Sequence, residues 1–301
     1  MDPAASTHWI HNLDPFLIRF AGDFGIRWYG IAYLAGLAWG FFMIRRWSTQ
    51  GRAPLRRTEI GDLILACGIG MIVGGRLGYV LLYEPHLLWT LTNKIPWWGL
   101  LAVNDGGMAS HGGLIGIVLG TWWFCRSRAR SFPVVIDMIG VTAPMGVCFG
   151  RIANFINGEL WGRPSEVPWA VIFPFVDNVP RHPSQLYAAV LEGLLPLAIA
   201  LPFHARHRRP GLTAGLMTVL YAVGRFIDEF FRVPDAGQPG GPALHGQDPI
   251  PAILGFMSKG QFYTLPLLLA GCAVMIWAMR RPACPGAYLP PPEVEKATRA
   301  K

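Results

Sequence analysis

The chain has 301 residues, of which 52% are hydrophobic and only 15% charged, and its mean hydropathy is +0.35. Soluble domains carry about 25% charged residues, so a soluble globular protein is excluded and an all-α polytopic membrane protein is expected. The length suits roughly seven spans of about 20 residues plus loops. A net charge of +8 raises nucleic acid as a partner, but where the basic residues fall points elsewhere.

Residues 1–25 form a polar lead that lacks the basic start and short apolar core of a signal peptide. The first span is expected from about Trp28 to Trp47, with Arg45, Arg46, Arg52, Arg56 and Arg57 at and after its end. The second runs from about Ile60 to Tyr83 and contains GGRLGY, Gly74 to Tyr79. The loop 84–107 carries Trp89, Trp97 and Trp98, rings suited to a membrane–water boundary. The third span starts near Met108 and ends at Cys125, before Arg126, Arg128 and Arg130. The fourth begins near Pro133 and runs into GRIANFINGELWG, Gly150 to Gly162. The proline-rich loop 159–184 is long enough to be a folded flap rather than a linker. The fifth span covers about Gln185 to Phe203, the sixth about Gly211 to Phe231, and the seventh, after the loop 232–261, about Phe262 to Met279. A cytoplasmic tail, 284–301, is expected to be disordered.

Most of the 26 lysines and arginines follow spans one, three, five and seven. By the positive-inside rule those ends are cytoplasmic, which places the N-terminus outside, the C-terminus inside and the Gly150–Gly162 stretch at the outer face. The basic excess is therefore an orientation signal, and no nucleic acid is expected. The five cysteines show no CxxC spacing and read as small apolar fillers, neither a disulfide set nor a metal site. No cofactor is expected. Leu269 to Cys272 reads like a lipoprotein processing box, but it lies deep in the last apolar span and is assigned packing only.

Polar groups inside apolar spans are costly and mark functional or helix-bonding positions. Arg76, Arg151 and Arg225 are the basic residues inside spans. Arg151 and Asn154 are three apart and share a helical face, which Asn157 and Gly158 rejoin two turns on. Gly158, Gly162 and Pro164 break the helix beyond them. A fixed cation beside amide donors at a broken helix can seat an anion; the alternative is a buried arginine that only ties helices together. Tyr221, Arg225 and Glu229 are spaced by four and line one stripe, which is also consistent with an intrahelical ion pair. Arg76, flanked by Gly74, Gly75 and Gly78, reads first as a structural cation and second as a phosphate ligand. Asp105 and His111 lie in DGGMASHGG, where a histidine can take a proton near neutral pH or can simply pack. Tyr29 in RWYG and His182 in RHPSQLY have boundary-residue readings beside functional ones.

The stretch Gly150 to Gly162 resembles the signature of the prolipoprotein diacylglyceryl transferase family through Gly150, Arg151, Asn154, Phe155, Asn157 and Glu159. DGGMASHGG, RHPSQLY and GRFIDEFFRVPDA resemble other segments of the family, in its order. The resemblance implies a seven-helix body, 1–283, with a small periplasmic head, in the bacterial inner membrane. It implies transfer of diacylglyceryl from phosphatidylglycerol to the lipobox cysteine of prolipoprotein signal peptides, giving a thioether and glycerol phosphate. It further implies catalytic roles for Tyr29, His111, Arg151, Glu159, Tyr221 and Arg225. Contacts to substrate or lipid are expected from Arg76, Asp105, Arg151, Asn154, Gly162, His182, Arg225 and Glu229. Two other classes fit the intramembrane arginines: an anion transporter, which the lack of an internal repeat disfavours, and a lipid-binding protein without chemistry.

Overall fold

A computed structural model describes residues 8–22, 24–91, 96–102, 107–233 and 257–290. The protein is mostly helical. Helices α1 (Trp28–Thr49), α2 (Glu59–Leu82), α3 (Ser110–Ser127) and α4 (Phe132–Asn157) cover the first half. Next come α5 (Ser184–Ala188), a π-helical segment (Ala189–Leu194), α6 (Leu195–Arg206), α7 (Leu212–Asp228) and α8 (Lys259–Met279). Among the described residues, four helices are long and apolar enough to cross a membrane: Glu59–Leu82, Phe132–Asn157, Ser184–Arg206 and Gly260–Met279. The chain falls into two compact units, Met1–Trp39 with Ile139–Ala283, and Gly40–Met138 with Cys284–Lys301.

In the second unit, α2 and α3 pack most extensively. Glycines four apart meet across them: a Cβ on Gly74 would lie 2.8 Å from Gly116 Cα, and one on Gly78 2.9 Å from Gly112 Cα. Small residues at this spacing let two apolar helices touch backbone to backbone. Acidic Glu59 and Asp62 in the first turn of α2 favour its positive end. They also pair with Arg130, at 2.7 Å, and Arg128 respectively.

The tail expected to be disordered from residue 284 is placed through Pro290. Pro285–Tyr288 forms a 3-10 turn that buries Tyr288, whose hydroxyl donates to Asp137 Oδ2 at 2.7 Å. Asp137 is fully buried, and a buried carboxylate needs a donor, which is why the turn is held. Residues 291–301 lie outside the described residues. Tyr288→Phe removes this donor and should cost about 1–3 kcal/mol, read as a lower thermal midpoint of the purified protein.

The first unit departs from an all-α expectation in two small sheets. Strand β1 (Trp9–Ile10) pairs in parallel with β4 (Val171–Ile172), which pairs antiparallel with β5 (Pro180–Arg181). Strands β2 (Phe16–Ala21) and β3 (Phe24–Arg27) form a hairpin that runs directly into α1. The Phe16 ring is held between the guanidiniums of Arg19 and Arg27, at 4.4 and 4.7 Å from its centre. Thus the polar lead is structured from residue 9, and the loop 159–184 is folded around β4 and β5. Strands β1, β4 and β5 leave little trace in hydrophobic periodicity, because each contributes only two residues to a pattern.

Helices in this unit meet at small residues. A Cβ on Gly36 of α1 would lie 2.8 Å from Gly146 Cα of α4, and one on Gly271 of α8 would lie 2.9 Å from Val219 of α7. Of the Leu269–Cys272 stretch, expected to pack, only Gly271 is buried; Leu269, Ala270 and Cys272 are exposed on the outer face of α8. The expected fifth span is not uniform. Pro196 has no N–H to offer the carbonyl of Glu192, and Leu195 N bonds Val190 O, five residues back. The wider π turn that results re-aims the side chains around Glu192. Helix α8 starts on a capping box: Ser258 Oγ accepts from Gln261 N at 3.1 Å and Gln261 Oε1 from Ser258 N at 3.0 Å.

Candidate functional site

Helix α4 ends where Gly158 breaks it. Gly158 has φ +68°, Glu159 N bonds Asn154 O at 2.9 Å, and Gly158 N bonds Phe155 O at 3.0 Å. These two bonds are a Schellman cap, which needs a left-handed residue after the last helical turn. The cap folds Glu159 back over the helix end. Its Oε2 accepts from Asn154 Nδ2 at 3.2 Å and its Oε1 from Asn157 Nδ2 at 3.3 Å. Asn154 Nδ2 also donates to the Tyr29 hydroxyl. The spacing Asn154, Asn157, Glu159 is therefore one hydrogen-bonded unit, and Tyr29 belongs to it.

The turn beyond is strained and held. Leu160 sits at φ +56°, uncommon for a bulky residue. Its carbonyl accepts from Ser184 Oγ at 2.9 Å, and that of Glu159 from Gln185 Nε2 at 2.5 Å. RHPSQLY thus clasps the signature turn through Ser184 and Gln185. Gly162 N bonds His182 O at 3.0 Å, Arg163 N bonds Phe231 O at 2.8 Å, and His182 N bonds Arg163 O at 3.0 Å. The backbone at Gly162 is consequently caught between two neighbouring segments. A Cβ there would lie 2.7 Å from His182 Cβ and 2.8 Å from Phe231 O.

The His182 ring lies against Tyr187 and Phe231, and its Nδ1 is 3.1 Å from the Tyr187 hydroxyl. Burial there pushes the imidazole below the ordinary histidine value. The folded state then binds fewer protons than the unfolded chain, so stability is lost as pH falls through about 6.5 and below. The thermal midpoint should drop between about pH 8 and about pH 5.5, and His182→Gln should flatten that slope.

One turn earlier in α4, at Arg151, lies a buried ion-pair network. Arg151 of α4 donates from Nε at 3.0 Å and from Nη2 at 2.7 Å to Glu192 Oε2. Arg225 of α7 lies 3.8 Å from Glu192 Oε1, 3.2 Å from Asp228 Oδ2 and 2.7 Å from Glu229 Oε2. Both arginine side chains are 17% exposed, whereas Glu192 is fully buried. Tyr221, one turn before Arg225, interacts with Arg151 and Arg225. Arginines from two different helices are thus brought to one carboxylate. They do not wait bare for a ligand, because three carboxylates face them. A guanidinium with its carboxylates is held in one geometry, and losing either partner leaves a buried charge uncompensated.

The structure brings together Tyr29, Arg151, Asn154, Glu159, Tyr221, Arg225 and Glu229, all in the first unit. Gly162 and His182 meet each other. Arg76 and His111 belong to the second unit. Arg76, expected second as a phosphate ligand, instead donates to the carbonyls of Leu100 at 2.8 Å, Gly107 at 3.0 Å and Gly99 at 2.5 Å. It is a buried strut for the loop that precedes α3. His111 is exposed at the start of α3, and Asp105 lies outside the described residues. Sequence reasoning missed Glu192, Asp228 and His11. Glu192 is the only acidic residue in the fifth span and could have been found as the partner a buried arginine requires. His11 holds Phe155 O through Nε2 at 2.7 Å, a contact between residues 144 apart in the chain that no local pattern announces.

Apolar helices long enough to cross a membrane, with a buried cluster of paired arginines and carboxylates beside a capped and clasped turn, define a helical membrane protein with an ionised interior. A profile described as prolipoprotein diacylglyceryl transferase matches residues 15–277. A protein of Idiomarina loihiensis is 43% identical over 269 residues, covering 89% of this chain and 94% of its own length. One of Rhodospirillum rubrum is 43% identical over 273 residues, covering 89% and 93%. One of Geobacter sulfurreducens is 38% identical over 274 residues, covering 91% and 98%. All three are named phosphatidylglycerol–prolipoprotein diacylglyceryl transferase. The chain belongs to the prolipoprotein diacylglyceryl transferase family.

Proposed function

We propose that the protein transfers the diacylglyceryl group of phosphatidylglycerol to the lipobox cysteine of prolipoprotein signal peptides, the first step of lipoprotein maturation. The observation that carries this reading is the meeting of Arg151 and Arg225, from separate helices, at Glu192. In the reaction the thiol sulfur forms a bond to the glycerol carbon bearing the phosphate. The bond from that carbon to the phosphate oxygen breaks, and glycerol phosphate leaves with both electrons. The thiol proton passes to a base and ends on the released phosphate or in solvent. Because thiolate is the nucleophile and the leaving group is an anion, the protein must accept a proton and hold negative charge. Guanidinium forks match phosphate oxygens two at a time, which suits Arg151 and Arg225 to the second task. Asn154 is assigned to the lipid headgroup. Glu159 and Tyr29 fix the Asn154 amide, and Tyr221 and Glu229 flank the arginines. His111 keeps the assignment of proton acceptor on the strength of the family resemblance alone.

The reading includes seven spans. The lengths of α1 (22 residues), α3 (18) and α7 (17) support adding them to the four strongly apolar helices. The arginines after the first, third, fifth and seventh spans support a periplasmic N-terminus and a cytoplasmic C-terminus in the inner membrane. The test is reconstitution of the full chain in phosphatidylglycerol vesicles with a lipobox peptide. A peptide mass increase by one diacylglyceryl group is expected, absent when the peptide cysteine is replaced by serine. Lipid binding without that product would contradict the reading.

A further inference from the structure

The mechanism above leaves Glu192 without a task. It is fully buried, and it reaches both arginines. Arg225 has closer carboxylates in Asp228 and Glu229, and Glu192 Oε1, 3.8 Å away, accepts no hydrogen bond. Arg151 is bound differently. Its Nε and Nη2, the fork that would chelate two phosphate oxygens, both close on Glu192 Oε2. One guanidinium edge cannot hold a carboxylate and a phosphate in the same plane at once. A lipid phosphate that takes this Nε–Nη2 edge therefore competes with Glu192 for Arg151, whereas the Nη1 side of the guanidinium makes no bond to Glu192.

We propose that Glu192 is the internal counter-anion of the two-arginine seat: it aligns Arg151 in the resting protein, yields that fork to the lipid phosphate, and reclaims it to expel glycerol phosphate. The proposal rests on the transferase reading and adds a direction to it. The lipid phosphodiester carries one negative charge, whereas the released phosphomonoester carries nearly two near neutral pH. A buried carboxylate at that position repels product more than substrate. Glu192 is a positioning residue in this account, acting through Arg151 and touching no reacting atom.

The experiment compares the full-length chain with Glu192→Gln in phosphatidylglycerol vesicles, using a lipobox peptide for turnover and glycerol 1-phosphate as the probe of the seat. The isosteric amide keeps a hydrogen-bonding oxygen but loses the charge. Glycerol 1-phosphate should bind about tenfold or more tightly to Glu192→Gln by calorimetry. KM for the lipid should fall by less, and kcat should fall because product leaves slowly. A merely structural role would lower kcat with KM unchanged or raised and would leave product affinity unchanged or weaker; either result overturns the proposal. If wild type makes no thioether, the transferase reading fails, while the calorimetric comparison still decides the role of Glu192. If Glu192→Gln does not unfold cooperatively, Glu192→Asp decides instead: drawn back by one methylene, it should tighten glycerol 1-phosphate by a smaller factor, and no tightening counts against the proposal.

Discussion

Replacing Arg151 by alanine is expected to abolish thioether formation. Removing one preorganised donor from a developing anion costs about 10²- to 10³-fold in turnover. Here the loss is larger, because Glu192 would be left buried with its main partner gone, a change that destabilises by about 3–5 kcal/mol. The two effects are separable. Arg151→Lys keeps a positive charge near Glu192 but not the planar fork, so it should retain a cooperative thermal transition while losing most activity. The assay is the peptide mass shift together with the thermal midpoint of each variant. Wild-type turnover by Arg151→Ala would remove the arginine from the mechanism.

Gly162→Ala should be nearly as damaging, for a reason that has no charge in it. The added methyl would press on His182 and on the Phe231 carbonyl, where Gly162 N and Arg163 N already bond to both segments. Overpacking of this kind costs about 1–3 kcal/mol. The backbone shift that relieves it passes along the clasped turn to Glu159 and so to the Asn154 amide. Misplacing such a group by about 1 Å can cost roughly 10²-fold in rate. Gly61→Ala, where a Cβ meets open space, is the control and should leave the stability within about 0.5 kcal/mol of the parent. Equal behaviour of the two variants would show that the contacts at Gly162 do not constrain the turn.

What was legible in the chain was whatever violates the rule for an apolar span. Arg151 and Arg225 stand out because nothing in hydrocarbon excuses them, and the helix break at Gly158 was visible as a glycine after two asparagines. The partners were less legible. Glu192 is a lone acid in the span LEGLLP and carries the same message as the arginines with opposite sign. Glu229 fits the stripe of Tyr221 and Arg225 at intervals of four, which masks Asp228, whose carboxylate reaches Arg225 at an interval of three. Arg76 shows the converse: an intramembrane arginine whose task is to cap loop carbonyls looks the same in sequence as one that awaits a ligand. The sheet of β1, β4 and β5 was invisible, since its pairing of Trp9 with Val171 depends on distance along the chain that no local periodicity records. Tyr288 was lost for the same reason, its buried partner Asp137 lying far upstream.

Two helices deliver guanidiniums to a shared carboxylate, and in the proposed cycle a lipid phosphate takes the place of that carboxylate at Arg151. A density map of the full chain in nanodiscs containing phosphatidylglycerol measures this directly. The expected result is one headgroup phosphate with oxygens about 2.7–2.9 Å from the guanidinium nitrogens of both Arg151 and Arg225, and Glu192 turned away from the Arg151 fork. A phosphate bound by neither arginine, with Glu192 still closed on Arg151, would contradict it.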